Sequence, residues 1–401
     1  MAGRGNRPAN IDKYRVDAEQ RRTKTSRGPV SFIDRGRHGH ALRTSRVEVG
    51  APNICCAPRR KFLAELVVLA AGTLVPLRRL AGQAQASAPP YPGWIDVHHH
   101  FAPPMYTQVL RDKKILPAPL VGWSAEKTIE DMDQGGVTAA MNSIVVPGVW
   151  FGDAAEARNL ARESNEYAAK LVSDYPKRFG NFATLTLPDI DGSLREIEYS
   201  LDVLKADGIQ LWTSYGEKWL GDPFFAPVFE ELNRRKAVVF VHPVENGCCT
   251  NFPREFRAAI EYGTDTTRAI VRMVYTGASR RYPDMRMIFS HAGGTLPFLI
   301  GRFVRPVPRA GEGREYQPLP DFQAEVSRFY YDTAQTYNPV PMEALRHVVP
   351  VSQIVFGTDY PYRSSLECTK GLVAANVFDA KELQAVESGN ALDLCPRLRK
   401  T

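Results

Sequence analysis

The chain has 401 residues, of which 44% are hydrophobic, 24% charged and 10% aromatic, and its formal net charge is +7. This composition is typical of a globular protein and excludes a disordered or fibrous chain. The basic excess lies in residues 1–80, whereas from Tyr91 onward the two charge signs are interspersed. Because the excess lies outside the predicted folded part, we predict no nucleic-acid partner.

Two segments precede the predicted domain. Residues 1–58 are rich in Arg, Gly, Ser and Pro without apolar periodicity, which predicts a disordered basic tail or a start-site artefact. Residues 59–86 begin with Arg59 and Arg60, continue with a short apolar stretch, and end in a small-x-small pattern before Ser87. This pattern resembles a twin-arginine export signal, with a surface helix as the alternative. The stretch is too short for a membrane anchor, so we predict a periplasmic protein if the signal is used and a cytoplasmic one otherwise.

Residues 87–401 alternate short apolar runs with longer amphipathic stretches, which predicts parallel strands covered by helices. The predicted strands are 94–100, 139–146, 179–187, 208–215, 237–242, 286–291, 328–334 and 353–359. Eight such repeats favour a closed (β/α)8 barrel, of the TIM-barrel type, as one domain. An open doubly wound sheet is the alternative, and the lack of a GxGxxG turn after any strand weakens it.

Polar side chains stand at the carboxyl ends of the predicted strands, where such barrels build their active sites. His98 and His100 end the first strand, His242 the fifth, His291 the sixth and Asp359 the eighth. Asp332 ends the seventh, and we predict that it holds His291 or the neighbouring loops.

Alternation along the first strand turns the imidazoles of His98 and His100 to one side, where they can share one cation. His242 and Asp359 can complete the shell from across the barrel. A nitrogen-rich site with one carboxylate suits Zn²⁺, with Mn²⁺ as the alternative.

Two neighbours of these histidines are expected to have structural roles. His99 points to the other side of the strand and is predicted to pack behind the barrel. Asp96 shares the face of His98 and His100 but lies deeper, where we predict that it bonds a ligand imidazole instead of binding the metal.

Four blocks of sequence carry a family resemblance: residues 95–100 (IDVHHH), 241–243 (VHP), 289–294 (FSHAGG) and 356–361 (FGTDYP). They resemble the signature blocks of the amidohydrolase-related family from about Trp94 to the C-terminus. Within it they look closest to the decarboxylase branch, which includes the aminocarboxymuconate-semialdehyde, γ-resorcylate and 6-methylsalicylate decarboxylases.

The resemblance implies one metal ion held by His98, His100, His242 and Asp359, with His291 beside the metal's water or the substrate. Two-metal members of the wider superfamily use a lysine at the end of the fourth strand. Here Leu211-Trp212-Thr213 stands at that point, which favours a single ion. The resemblance also implies a homodimer.

One bound ion supports two reactions, hydrolysis of a lactone or amide and nonoxidative decarboxylation. The resemblance favours decarboxylation of a small aromatic or unsaturated acid such as a hydroxybenzoate. Asp359 is then the residue that moves a proton, and His291 orients the substrate. A metal-binding protein without catalysis is the third hypothesis, and the complete ligand set argues against it.

Two more residues are predicted to bind substrate. Arg302, after the sixth strand, is placed to pair with a carboxylate, with a surface or interfacial salt bridge as the equal alternative. Trp150, in the loop after the second strand, is placed to stack on a planar ring, whereas Trp212 is predicted to be core.

Overall fold

The computed structural model describes residues 93–245, 253–304 and 321–400. The predicted tail at 1–58 and the predicted export signal at 59–86 lie outside these ranges. Within them, no helix combines the length and the apolar character needed to cross a membrane.

Eight parallel strands form one sheet in which each strand pairs with the next along the chain. Backbone hydrogen bonds join the last strand region to the first: Val97 N donates to Phe356 O at 2.9 Å, and Asp359 N donates to His98 O at 2.8 Å. The barrel is therefore as predicted, and the doubly wound alternative is wrong because the strand order never reverses. The barrel strands are β1 Trp94–His100, β2 Val137–Ser143, β3 Phe179–Thr184, β4 Gly208–Trp212, β5 Val238–His242, β6 Arg286–Phe289, β7 Tyr330–Asp332 and β8 Ile354–Val355. A separate antiparallel pair, Ser214–Tyr215 with Lys218–Trp219, lies between β4 and β5.

The later strands are shorter than the sequence predicts. β6 ends at Phe289 and β8 at Val355, so His291 and Asp359 lie in the segments beyond the strands and not at their last residues. Their φ angles of 56° and 66° are left-handed, a conformation that an extended strand does not contain. Both side chains remain at the carboxyl end of the barrel.

Helices follow most strands and cover the outside of the sheet. The long α3 begins where the Asp153 carboxylate accepts a hydrogen bond from Glu156 N, and it buries Leu160, Ala161, Ala168 and Leu171 on one face. The helices are α1 Pro104–Asp112, α2 Ala125–Gly135, α3 Ala154–Asp174, α4 Ile190–Glu198, α5 Ala226–Arg234, α6 Arg254–Tyr275, α7 Ala278–Arg281, α8 Leu296–Phe303, α9 Phe322–Val326, α10 Pro339–Arg346, α11 Ser365–Ala375, α12 Ala380–Gln384 and α13 Asn390–Leu394.

The buried apolar residues form two clusters. The larger one packs the helices against the outside of the strands. The smaller one, called the inner cluster here, joins strand residues with the C-terminal segment: Ile95, Val97, Ala139, Met141, Phe182, Val238, Phe240, Ile288, Val355, Ala391, Leu392, Leu394, Cys395 and Leu398.

The C-terminal segment covers the amino-terminal ends of the strands. Arg397 pairs with Asp207, just before β4, at 2.8 Å, and donates to the carbonyl of Phe179, the first residue of β3, at 3.1 Å. Arg286, the first residue of β6, donates to Asp393 O at 3.0 Å. These contacts close the barrel end that lies opposite the histidines.

Candidate metal centre

His98, His100, His242 and Asp359 converge at the carboxyl end of the barrel. Each offers one ligand atom, and these atoms all lie within 4.8 Å of one another. All four residues are buried, with exposed fractions of 4% or less. Among the described residues, this is the one group of three or more potential ligands that converges in this way. We call these four residues the metal centre.

The δ nitrogens of all three histidines face oxygen atoms of the protein. His98 Nδ1 lies 2.8 Å from Asp332 Oδ2, His100 Nδ1 3.3 Å from Ser143 O, and His242 Nδ1 2.8 Å from Pro243 O. Because each Nδ1 is engaged with a protein oxygen, Nε2 is the ring nitrogen that remains to bind a cation.

Three buried atoms that face the centre have no hydrogen-bond partner in the part of the chain that the structure describes: His98 Nε2, His100 Nε2 and Asp359 Oδ1. Oδ1 stands 3.3 Å from the first nitrogen and 3.1 Å from the second. Buried polar atoms without partners are costly, and a divalent cation coordinated by imidazole nitrogen and carboxylate oxygen would satisfy all three. The donor set therefore fits the predicted ion.

Asp332 and Gly357 support the ligand His98. Besides His98 Nδ1, the Asp332 carboxylate accepts hydrogen bonds from His291 N at 2.8 Å and Ala334 N at 3.0 Å. The prediction that Asp332 holds His291 is confirmed, and its bond to His98 is an additional role. A side chain at position 357 would place its Cβ only 2.8 Å from the Cβ of His98, so glycine allows this close approach.

The charges of the metal-free centre are unequal. Burial opposes a charge on His98, but the Asp332 and Asp359 carboxylates outweigh it and raise its pKa to about 10. Burial lowers the pKa of His100 and, more strongly, that of His242. Burial opposes ionisation of Asp359 too, yet the three facing histidines, led by His98, lower its pKa well below the usual value.

We expect metal binding to release about one proton near pH 7.5. His98 carries two protons in the metal-free chain up to a pH of about 10, and an ion on Nε2 displaces one of them. His100 and His242 are already neutral and release none. The apparent affinity should therefore rise about tenfold per pH unit between pH 7 and 9 and level off near the pKa of His98. Calorimetric titration with Mn²⁺ in buffers of different ionisation enthalpy measures the release, and a count of zero contradicts this charge state.

His291 and Gln335 contact the outer oxygen of Asp359. His291 is 8% exposed, and its Nε2 lies 3.4 Å from Asp359 Oδ2. His291 Nδ1 has no hydrogen-bond partner among the described residues. The Gln335 amide donates to the same Oδ2. The sequence predicted His291 beside the metal centre and missed Gln335, which lies three residues after β7 and carries no distinguishing pattern.

His99 packs away from the metal centre, as predicted. Its ring stacks on Tyr360 with centroids 4.7 Å apart, and the residue is fully buried. Its Nδ1 lies 2.9 Å from Asp96 Oδ2.

Asp96 has a structural role, as predicted, and accepts a hydrogen bond from the backbone N of the ligand His98 at 3.0 Å, but the prediction that it bonds a ligand imidazole is wrong. Its carboxylate bonds His99 and accepts hydrogen bonds from Thr358, through N at 3.0 Å and through Oγ1 at 2.6 Å. The pairing of β1 with β2 shifts register between Asp96 and His99, so regular alternation does not extend down the strand. Ile95 and Val97 join the inner cluster instead.

A cavity of about 770 Å³ borders the metal centre. Three aromatic rings of its wall pack against ligand imidazoles. The ring centroids of Trp212 and Tyr262 lie 5.6 Å and 6.1 Å from that of His242, and the centroid of Tyr362 lies 6.2 Å from that of His100. Burial raises the pKa of Tyr262 and of Tyr362, so both phenols stay neutral. The apolar part of the wall comprises Ile115, Leu116, Pro117, Val146, Pro147, Val149, Leu185, Leu187, Pro188 and Val244.

Trp150 lines this cavity and Arg302 does not. Trp212 is 4% exposed, in agreement with the core prediction, and it also forms part of the cavity wall. Arg302 is exposed in the last turn of α8. Lys114 and Glu245 are charged residues of the wall, and no sequence pattern marks either of them as part of a site.

Residues 95–397 match the family model described as amidohydrolase. The chain belongs to this family. It is 36% identical over 321 residues to the 6-methylsalicylic acid decarboxylase of Penicillium expansum, covering 76% of this chain and 97% of that one. It is 35% identical over 324 residues to the decarboxylase macB of Penicillium terrestre, covering 76% and 95%. The resemblance stated from the sequence blocks is therefore confirmed.

The fold is shared with solved structures. The dihydroxybenzoic acid decarboxylase of Polaromonas sp., solved with bound manganese and the inhibitor 2-nitroresorcinol, superimposes with a TM-score of 0.66 at 20% identity. The match covers 76% of this chain and 97% of that one.

Proposed function

We propose that this amidohydrolase-family chain is a metal-dependent nonoxidative decarboxylase, a carboxy-lyase that releases CO2 from a small aromatic or unsaturated acid such as a hydroxybenzoate. The observation that carries the proposal is a complete metal centre bordering an apolar and aromatic cavity. The two relatives at 35% and 36% identity are themselves named decarboxylases.

The cavity suits a single-ring acid. Its volume of about 770 Å³ lies in the range of small-molecule sites, roughly 300–1,000 Å³. Its wall offers flat apolar surface for a ring, while Lys114 adds a positive charge and the neutral phenols of Tyr262 and Tyr362 offer hydrogen bonds. A substrate with an aromatic ring and a carboxylate would place its ring against the apolar part of the wall and its carboxylate near the charged and hydrogen-bonding part.

A divalent ion held by the four ligands would withdraw electrons from the carboxylate and the neighbouring oxygen of the substrate. His291 Nδ1, which has no hydrogen-bond partner among the described residues, is free to orient the substrate. Asp359 is ionised at rest because the facing histidines lower its pKa, so it first takes up a proton from solvent and then delivers that proton to the carbon that loses CO2, which returns the carboxylate to its ionised form. Oδ2, the oxygen that faces His291, is the atom that carries this proton.

Two residues complete the proposed substrate site. Trp150 stacks on the ring from the cavity wall, and Arg302 pairs with a substrate carboxylate. Arg302 is exposed in the single chain and lies outside the cavity lining, so this role requires that the proposed homodimer brings it to the cavity of a partner subunit. A monomer that turns over at the full rate contradicts the assignment of Arg302.

The metal is proposed to be Zn²⁺, with Mn²⁺ as the alternative. Three imidazoles and one carboxylate suit either ion. The Polaromonas enzyme was solved with bound manganese, which supports Mn²⁺ as the alternative ion. Metal analysis of protein produced with both ions available decides between them.

A substrate panel tests the proposed reaction. Metal-loaded protein is incubated with hydroxybenzoates, muconate-type acids and a set of lactones and amides, and both CO2 release and ring opening are followed. We expect CO2 from at least one hydroxybenzoate, with a KM that rises when Trp150→Ala removes the stacking surface. Ring opening without CO2 release would establish a hydrolase instead.

The domain organisation is also proposed, with residues 59–86 as a removable export signal ahead of a barrel domain at 87–401. Sequencing the N-terminus of periplasmic and cytosolic fractions tests it. Uncleaved protein found only in the cytosol rules out export.

A further inference from the structure

Gln335 stands at the edge of the metal centre although it is not one of the ligands. It lies in the turn between β7 and α10, and its side-chain amide donates a hydrogen bond to Asp359 Oδ2. The two oxygens of Asp359 therefore have different surroundings. Oδ1 faces the Nε2 atoms of His98 and His100, whereas Oδ2 faces Gln335 and His291.

The Gln335 amide is placed to restrain the orientation of the Asp359 carboxylate. The torsion that rotates an aspartate carboxylate is soft, with broad and roughly two-fold preferences. Without a hydrogen bond on the outer oxygen, the group can turn and take Oδ1 away from the imidazoles. A hydrogen bond donated to Oδ2 restrains that rotation. Oδ2 can still accept a second hydrogen bond, and His291 Nε2 lies 3.4 Å from it.

The turn that carries Gln335 is itself anchored to the metal centre. Ala334 N donates to Asp332 Oδ1 at 3.0 Å, and Asp332 Oδ2 bonds the ligand His98. The Thr333 hydroxyl accepts a hydrogen bond from Gly357 N at 3.1 Å and donates one to Gly357 O at 3.3 Å. The turn is therefore anchored to Asp332, which bonds the ligand His98, and to Gly357, which precedes the ligand Asp359 by two residues.

The backbone of Gln335 is an independent observation. Its φ is 55°, in the left-handed region that glycine adopts freely and that strains a residue with a longer side chain. Residues kept in such conformations cluster at functional sites. A glycine would suit the turn better, so the glutamine side chain supplies something that the turn alone does not need.

We propose that Gln335 is a positioning residue of the metal centre. Its amide holds Asp359 Oδ2 so that Oδ1 faces the ion and Oδ2 remains beside His291. The inference rests on the proposed metal-dependent function, but it concerns how the ion is held and applies to either reaction that the ion can support.

Two substitutions at position 335 separate this role from a structural one. Gln335→Met keeps the side-chain length and removes the donor. Gln335→Gly also removes the donor but suits the left-handed backbone. The matched control is Gln384→Met, at an exposed glutamine that ends α12. Metal-free protein of each variant is titrated with Mn²⁺ alone, and thermal unfolding is recorded beside it.

We expect both variants at position 335 to bind Mn²⁺ about tenfold more weakly or worse, as is typical when the partner of a metal ligand is lost. The glycine variant should melt at or above the temperature of the unsubstituted chain, because its turn is relieved of strain. The control should match the unsubstituted chain in affinity. A purely structural role predicts that Gln335→Gly leaves the affinity unchanged.

Unchanged Mn²⁺ affinity in both variants would overturn the proposal. The titration contains no substrate, so its result does not depend on the reaction. If affinity falls as expected while no hydroxybenzoate yields CO2, the role of Gln335 stands and the proposed reaction fails. If CO2 is released and affinity does not change, the reaction stands and the role of Gln335 fails.

Discussion

Replacing Asp359 with asparagine is expected to lower the rate of CO2 release by about 10³-fold or more. The substitution removes the group proposed to deliver the proton, and general acid catalysis typically contributes about 10²–10⁴-fold. It also replaces a charged ligand with a neutral one. The rate is therefore measured at saturating Mn²⁺ after metal analysis has shown that the ion is bound.

The matched control for this substitution is Asp112→Asn, at an exposed aspartate that ends α1. It should leave both the metal content and the rate unchanged. An Asp359→Asn variant that carries its ion and still releases CO2 within tenfold of the unsubstituted rate would exclude the proposed role of Asp359 in proton delivery.

Removing the metal is expected to abolish turnover while the barrel stays folded. Stabilisation of charge by a bound cation contributes several kcal/mol to catalysis, and each 1.36 kcal/mol is worth about tenfold in rate. The rate should therefore fall at least about 100-fold after dialysis against a chelator. The two apolar core clusters are built from residues other than the four ligands, so circular dichroism should show an intact fold.

The thermal midpoint should fall by several degrees on metal removal, because an ion at 100 times its Kd stabilises the folded state by about 2.7 kcal/mol. Zn²⁺ or Mn²⁺ should restore the rate, whereas Mg²⁺, which favours oxygen ligands, should not. Full turnover by protein that carries no metal would contradict the proposal.

The ligands of the metal centre could be predicted from sequence because two regular rules coincide there. Strand alternation places His98 and His100 on one side, and parallel strands bring all their carboxyl ends to the same end of a barrel. His242 ends β5 as predicted. His291 and Asp359 were assigned to the correct end of the barrel although they lie two and four residues beyond their strands. A side chain so close to the end of a strand remains at the same end of the barrel.

The partners of the ligands could not be predicted in the same way. The error for Asp96 arose because a register shift in β1 interrupts the alternation on which the prediction relied. Gln335 lies in a turn whose direction depends on a single left-handed residue, and nothing in the local sequence marks it. Asp332 was predicted as the end of a strand. Its hydrogen bond with His98 could not be predicted, because it depends on how β7 and β1 face each other across the barrel.

The C-terminal segment that covers the amino-terminal ends of the strands has a consequence for protein engineering. Its contacts, such as Arg397 with Asp207, lie at the end of the barrel away from the cavity. The residues that cover this end of the barrel are thus separate in space from those that line the cavity. Loops at the cavity end, including residues 113–117 and 146–151, can therefore be randomised to seek new acids while the closed end preserves a folded scaffold.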